Sequence, residues 1–171
     1  MSLDFNALAT KVSHLVMKIN SYFRSPVDIL YVYGGGTVYT DATITAALTA
    51  IGSTMASIKL APGTWTISNN ITIPANIYID ISTATLSIAS GKTFTNNGLM
   101  DETLNQKFSG AGLVAFGPRS IKKVYPQWGG ALGNGENDDT SAIQAAINSI
   151  IAGVVSFVNG SYRITYTLNI D

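Results

Sequence analysis

The sequence predicts a mainly β protein with short helices: an N-terminal α-helix, a small solenoid-like β-rich head, and a closing module of helix and strands. Three observations carry that reading. Only 12% of residues are charged, against roughly 25% in ordinary soluble domains, while Gly, Thr, Ile and Val abound. Short runs alternate apolar residues with Thr, Ser or Tyr at period two, as half-buried strands do. Between the runs sit Gly, Asn and Pro clusters of turn chemistry. At 171 residues the chain can hold one ordinary domain or two small ones, with a real core.

Composition also excludes function classes. Ten Lys+Arg balance ten Asp+Glu, so the concentrated basic face that grips a phosphate backbone is not expected, nor is a nucleic-acid partner. The absence of cysteine removes disulfides, thiolate nucleophiles and Cys-based zinc sites. Met1-Ser-Leu-Asp-Phe5 has no basic leader, and no apolar run nears the ~20 residues of a membrane span. Neither a signal peptide nor membrane insertion is expected. Asn70-Ile-Thr72 and Asn159-Gly-Ser161 match the glycosylation sequon and read as turns.

Residues 1–25 form the first section. Phe5, Leu8, Val12, Leu15, Ile19 and Tyr22 recur at the 3, 4, 3, 4, 3 spacing of a coiled-coil seam, with Phe5, Val12 and Ile19 at a. Pro26 disfavours helical geometry at Ser25 and ends the run. A lone helix of this length is marginal in water, so its stripe must be covered. It packs on its own domain or serves oligomerisation and attachment; the Pro exit favours the latter. His14 lies between seam positions and reads as a solvated helix residue.

Residues 26–117 form the head. Gly34-Gly-Gly36 lacks the Lys-Ser/Thr of a phosphate loop and reads as a joint, and no cofactor is expected. Ile44, Ala47, Leu48 and Ile51 mark a helix with Thr40 or Asp41 as its cap. Strand runs follow at 57–60, 64–67, 71–73, 76–81, 85–88 and 92–95. Hairpin-type turn pairs are rare among them, which favours stacked coils over a sandwich.

Residues 118–128 read as a linker or neck. Arg119, Lys122 and Lys123 there, beside Tyr125, are expected to be solvated. Residues 129–171 open with a Gly-rich stretch, then a helix through Ala142, Ile143, Ala146, Ile147 and Ile150, and strands at 154–158 and 162–165. This module echoes the head. Ile44, Leu48 and Ile51 match Ile143, Ile147 and Ile150, and Pro62-Gly-Thr-Trp65 matches Asn159-Gly-Ser-Tyr162. The spacing of about a hundred residues is too long for one solenoid rung, so two units of similar construction begin here.

Gly129-Gly-Ala-Leu-Gly-Asn-Gly-Glu-Asn-Asp-Asp-Thr-Ser-Ala-Ile-Gln-Ala-Ala-Ile147 resembles the opening of the pectate-lyase-like superfamily. Pro62-Gly-Thr-Trp65, Ile71-Thr-Ile-Pro74, Ser90-Gly-Lys-Thr-Phe94 and Tyr125-Pro-Gln-Trp128 are similar to the segment that often precedes it in bacteriophage tailspikes and tail fibres. The likeness spans roughly residues 37 to 171. It implies that 129–171 is the entry of a right-handed parallel β-helix. It also implies a virion structural protein, homotrimeric, whose N-terminal part joins phage tail or baseplate proteins to a receptor-binding body. Host surface polysaccharide would be met through a downstream region. The alternative is the non-catalytic front of a polysaccharide depolymerase, lyase or glycoside hydrolase, with its active site beyond residue 171. Asn134 departs from the family's usual Asp. The last residues stop where a long β-helix would begin, and an open end exposes strand edges that need covering.

Asp138-Asp139 is the tempting catalytic pair, since paired carboxylates cleave glycosides. Its simpler role, with Thr140, is to cap the helix that follows. A calcium loop from Asn134, Glu136, Asn137, Asp138 and Asp139 fits by ligand type but lacks EF-hand spacing and glycine placement, and no metal is expected. No catalytic residue is expected in this stretch. Trp65 and Tyr162 hold equivalent places and read as packing residues. Trp128, after Pro126, is the better candidate for a contact surface, although its first reading is a plug at a domain junction.

Overall fold

The computed structural model describes residues 29–32, 39–118 and 120–170. The seam Phe5, Leu8, Val12, Leu15, Ile19 and Tyr22 lies outside the described residues, as do His14, residues 34–36 and Arg119. What is described is mainly β, with two α-helices and parallel sheets.

The elements run β1 (Ile29–Val32), β2 (Tyr39–Thr40), α1 (Asp41–Ile51), β3 (Ala56–Leu60), β4 (Gly63–Ile67) and β5 (Ile71–Ile73). Next come β6 (Ile77–Asp80), β7 (Ala84–Ile88), β8 (Thr93–Asn96), β9 (Leu99–Met100), β10 (Phe108–Gly110) and β11 (Leu113–Phe116). Last are β12 (Lys123–Val124), a 3-10 turn (Pro126–Gly129), β13 (Asn134–Asp138), α2 (Thr140–Asn148), β14 (Val154–Val155) and β15 (Ser161–Arg163).

The sheets are ordered β1-β3-β6-β9, β10-β7-β4-β2 and β11-β8-β5. From β3 onward the chain therefore visits the three sheets in turn and repeats that circuit. Parallel neighbours cannot be joined by a hairpin; here each return passes through the other two sheets. The register stacks like on like. Trp65 pairs with Leu86, which pairs with Phe108, and Ile58 pairs with Ile79, which pairs with Met100. All six are buried, so the period-two alternation of each strand feeds a common interior column. Gly98 marks where the circuits close tightest, because a Cβ there would sit 1.9 Å from the Ile77 carbonyl oxygen.

The second unit repeats the beginning of the first. There β1 pairs with β3 and β2 with β4, on either side of α1. Likewise β12 pairs with β14 and β13 with β15, on either side of α2. The expected echo thus extends to two strands before each helix. Trp65 donates its indole N–H to the Ala61 carbonyl at 2.9 Å, and Tyr162 donates its hydroxyl to Val158 at 3.0 Å. Each aromatic bonds the carbonyl four residues back.

Several expectations are corrected. Residues 118–128 are not a free linker: Ile121, Val124 and Trp128 belong to the same buried cluster as the strands. The polar run around Lys122 and Lys123 masked those apolar positions. The final strands are shorter than the alternation predicts, at 154–155 and 161–163. At α1, Thr40 occupies the N-cap without a side-chain cap bond. Asp41 is buried instead, its carboxylate accepting from Asn69 Nδ2 at 2.9 Å and the Ser68 amide at 3.4 Å. At the other end Gly52, with φ of 61°, closes the helix by donating its amide to Leu48.

Candidate functional site

The Asp138-Asp139-Thr140 loop lies between β13 and α2. All five residues of β13 are exposed, yet its ends pair with β15 through Asn134–Ser161 and Asp138–Arg163. Asp139 is 2% exposed and stands at the N-cap, but its side chain makes no cap bond. Its two oxygens accept from the backbone amides of Leu132 (2.8 Å) and Gly133 (3.2 Å). The expected capping by Asp139 is therefore corrected: the carboxylate ties down the preceding glycine loop. Burial without hydrogen bonds would cost a carboxylate heavily, and these two amides supply the compensation.

Asp138 does the capping. Its Oδ1 accepts from the Thr140 amide at 3.0 Å and from the Thr140 hydroxyl, and its Oδ2 accepts from the Thr165 hydroxyl at 2.7 Å. Those hydrogen bonds, from Thr140 above all, hold its carboxyl below the usual aspartate range. Thr140 in turn accepts from the Thr165 amide at 2.8 Å. The two adjacent carboxylates thus serve different partners, one reaching back to the loop and one forward across the helix start.

The remaining loop residues are also engaged. Asn134 Oδ1 accepts from the amides of Glu136 and Asn137, both at 3.0 Å. The Glu136 carbonyl accepts from Arg163 at 3.0 Å. Among the described residues no group of three or more His, Cys, Asp or Glu could hold a metal ion.

Trp128, the candidate contact surface, is 2% exposed, which overturns that role. The 3-10 turn aims its indole inward, where the ring N–H donates to the Thr103 carbonyl at 2.8 Å. Its ring lies against Tyr125 and Phe116 at centroid distances of 5.3 and 6.1 Å. It is the plug where the circuits of the first unit meet the second. Trp65 is fully buried and stacks on Tyr39 at 4.8 Å, as a packing residue does. Tyr162 is half-buried, and Gln127 donates to its hydroxyl at 2.5 Å.

A groove of about 580 Å³ runs between β10, β11 and α2. Phe108, Leu113 and Phe116 form one wall, and Ser141, Gln144 and Tyr166 the other. Among the described residues no Asp, Glu, Lys, Arg or His lines it, and its walls offer apolar surface and neutral hydrogen-bonding groups.

One cluster went unread in the sequence. Lys107 is fully buried beside Asp101, which is 8% exposed, in the irregular stretch between β9 and β10. The signal was an alternation of Asp101, Thr103, Asn105 and Lys107 in chain order. Against known proteins, no family model, curated protein or solved structure matches this chain.

Proposed function

We propose that this chain is the N-terminal attachment part of a phage tailspike or tail fibre, a virion structural protein leading into a receptor-binding parallel β-helix. The observation that carries the reading is the repeated circuit through three parallel sheets, followed by a second unit of the same construction (β12, β13, α2, β14, β15). A fold of stacked parallel circuits suits a long, stiff body, and the motif resemblance in residues 129–147 names the family in which such bodies grow from this module. On this reading residues 1–25 assemble a homotrimer or dock onto tail or baseplate proteins.

The test is Leu15→Asp, at the centre of the seam. The variant is expected to keep the β-sheet signal in far-UV circular dichroism while losing oligomer mass by light scattering and losing incorporation into virions. An unchanged oligomer together with unchanged incorporation overturns the proposal.

A second reading has its own support. The side chains of the last unit stay open: Phe157, Ile164 and Ile170 are 50, 51 and 83% exposed. On this reading a following body covers those side chains and carries the chemistry of a depolymerase of which this is the non-catalytic front. Glycan cleavage by the polypeptide isolated from its source distinguishes the two. A mass far above that of 171 residues, with glycan cleavage by the long form only, supports the depolymerase. Cleavage by the 171-residue chain itself overturns it.

A further inference from the structure

The stretch between β9 and β10 has no strand or helix, yet it holds the most buried charge among the described residues, the fully buried Lys107. Alternate residues of an extended chain project to the same side, and here three of them present oxygen to one point. Lys107 Nζ donates to Asp101 Oδ2, to Thr103 Oγ1 at 2.8 Å and to Asn105 Oδ1 at 3.1 Å. An ammonium has three donors, and all three are used. The cage is fixed from behind. Asp101 Oδ1 accepts from the Ile81 amide at 2.7 Å, and Trp128 bonds the Thr103 carbonyl. The Trp128 ring faces the ammonium at 5.9 Å, a further contact that favours a cation.

Oxygen ligands at positions one, three and five of a short loop are how chains bind metal cations. Here position seven supplies the cation. We infer that residues 101–107 form a cation-binding loop whose resident ion is the chain's own Lys107 ammonium, and that without it the cage takes a free monovalent cation of similar size, K⁺ or NH₄⁺. Charge points that way, because one carboxylate balances one positive charge and would leave a divalent ion undercompensated.

Two variants test this. Lys107→Met keeps the aliphatic stem and empties only the ammonium's position; Lys107→Ala empties the stem as well. Melting midpoints are read at equal ionic strength in KCl, NH₄Cl and tetramethylammonium chloride, the last being too large for the cage. For at least one variant the midpoint is expected to be about 3–5 °C higher in KCl or NH₄Cl than in the tetramethylammonium salt. The wild type should show no such discrimination, because its site is filled. Adding Asp101→Asn to the responsive variant should abolish the difference. If neither variant distinguishes the salts, or both stay unfolded in all three, the inference is overturned. It is equally overturned if the response survives Asp101→Asn.

Discussion

The two units share a plan and differ in what covers them. In the first, Ile67 and Ile73 are fully buried because β7 and β8 follow in register on the same sheets, and Leu60 is fully buried at the end of β3. At the same offset that sets Trp65 against Tyr162 in the sequence echo, Leu60, Ile67 and Ile73 correspond to Phe157, Ile164 and Ile170, which are 50, 51 and 83% exposed. Residue type is nearly constant between the pairs, and so is local bonding, since Trp65 and Tyr162 each bond four residues back. Burial is not constant. In a fold of this kind a strand supplies half of its own core, and the strand stacked upon it supplies the rest.

That difference can be broken most sharply at the aromatic pair. Trp65→Ala should destabilise by about 3–5 kcal/mol, the usual loss for an emptied large core site. Tyr162→Ala, at a half-buried position, should lose about 1–2 kcal/mol. Denaturant midpoints measure both, and equal losses would mean that the units are covered alike. Next is the aliphatic pair. Ile67→Ala is expected to lose about 2–5 kcal/mol, whereas Ile164→Ala should lose under about 1 kcal/mol. A large Ile164 effect would show that this face is already packed against something in solution.

The buried carboxylates give a smaller contrast. Asp139→Ala leaves the Leu132 and Gly133 amides without their acceptor and should cost about 1–3 kcal/mol. Amide hydrogen exchange should quicken in that loop first. Asp41→Ala should act in the same direction and release Asn69 rather than a glycine loop. Exchange that spreads evenly over both units would contradict the local role.

The smallest effect is on acid response. Hydrogen bonds from Thr140 and Thr165 hold the Asp138 carboxyl below its ordinary range, so its contribution is present above that range and lost as pH falls through the lowered value. The start of α2 should loosen only in acid below the ordinary aspartate range, read from the Thr165 amide resonance. Asp138→Asn should flatten that titration and leave the α1 region unchanged.

Much of this plan was legible in the residues. The helices stood out because Ile44, Leu48 and Ile51, like Ile143, Ile147 and Ile150, recur at helical spacing. Strands β3 to β8 stood out because each has enough alternating residues to show a period. Strands β9 and β10 did not, since neither Leu99-Met100 nor Phe108-Ser-Gly110 sets two apolar residues on either side of a polar one. Strand β13 was hidden for the opposite reason: Asn134-Gly-Glu-Asn-Asp138 buries nothing, so only backbone pairing makes it a strand. At the candidate site, Asp138 and Asp139 stand just before α2, but their division of labour was not visible. Which carboxylate turns inward depends on the Leu132–Gly133 loop and on Arg163 and Thr165, more than twenty residues away. The partners that cover Trp128, namely Phe116, Tyr125 and Thr103, were not visible, because the local pattern announces no contact between them.

The register columns have a consequence for how such a chain can change its length. Trp65, Leu86 and Phe108 stand one above another at separations of 21 and 22 residues. Adding or deleting one residue within a strand would turn every later side chain of that strand to the opposite face. Adding or deleting a whole turn of the column would leave every remaining neighbour with a partner of the kind it already has. Length is therefore quantised: the molecule can be made taller or shorter in steps of one complete turn, and duplication of a single turn is its least disruptive route to a longer reach.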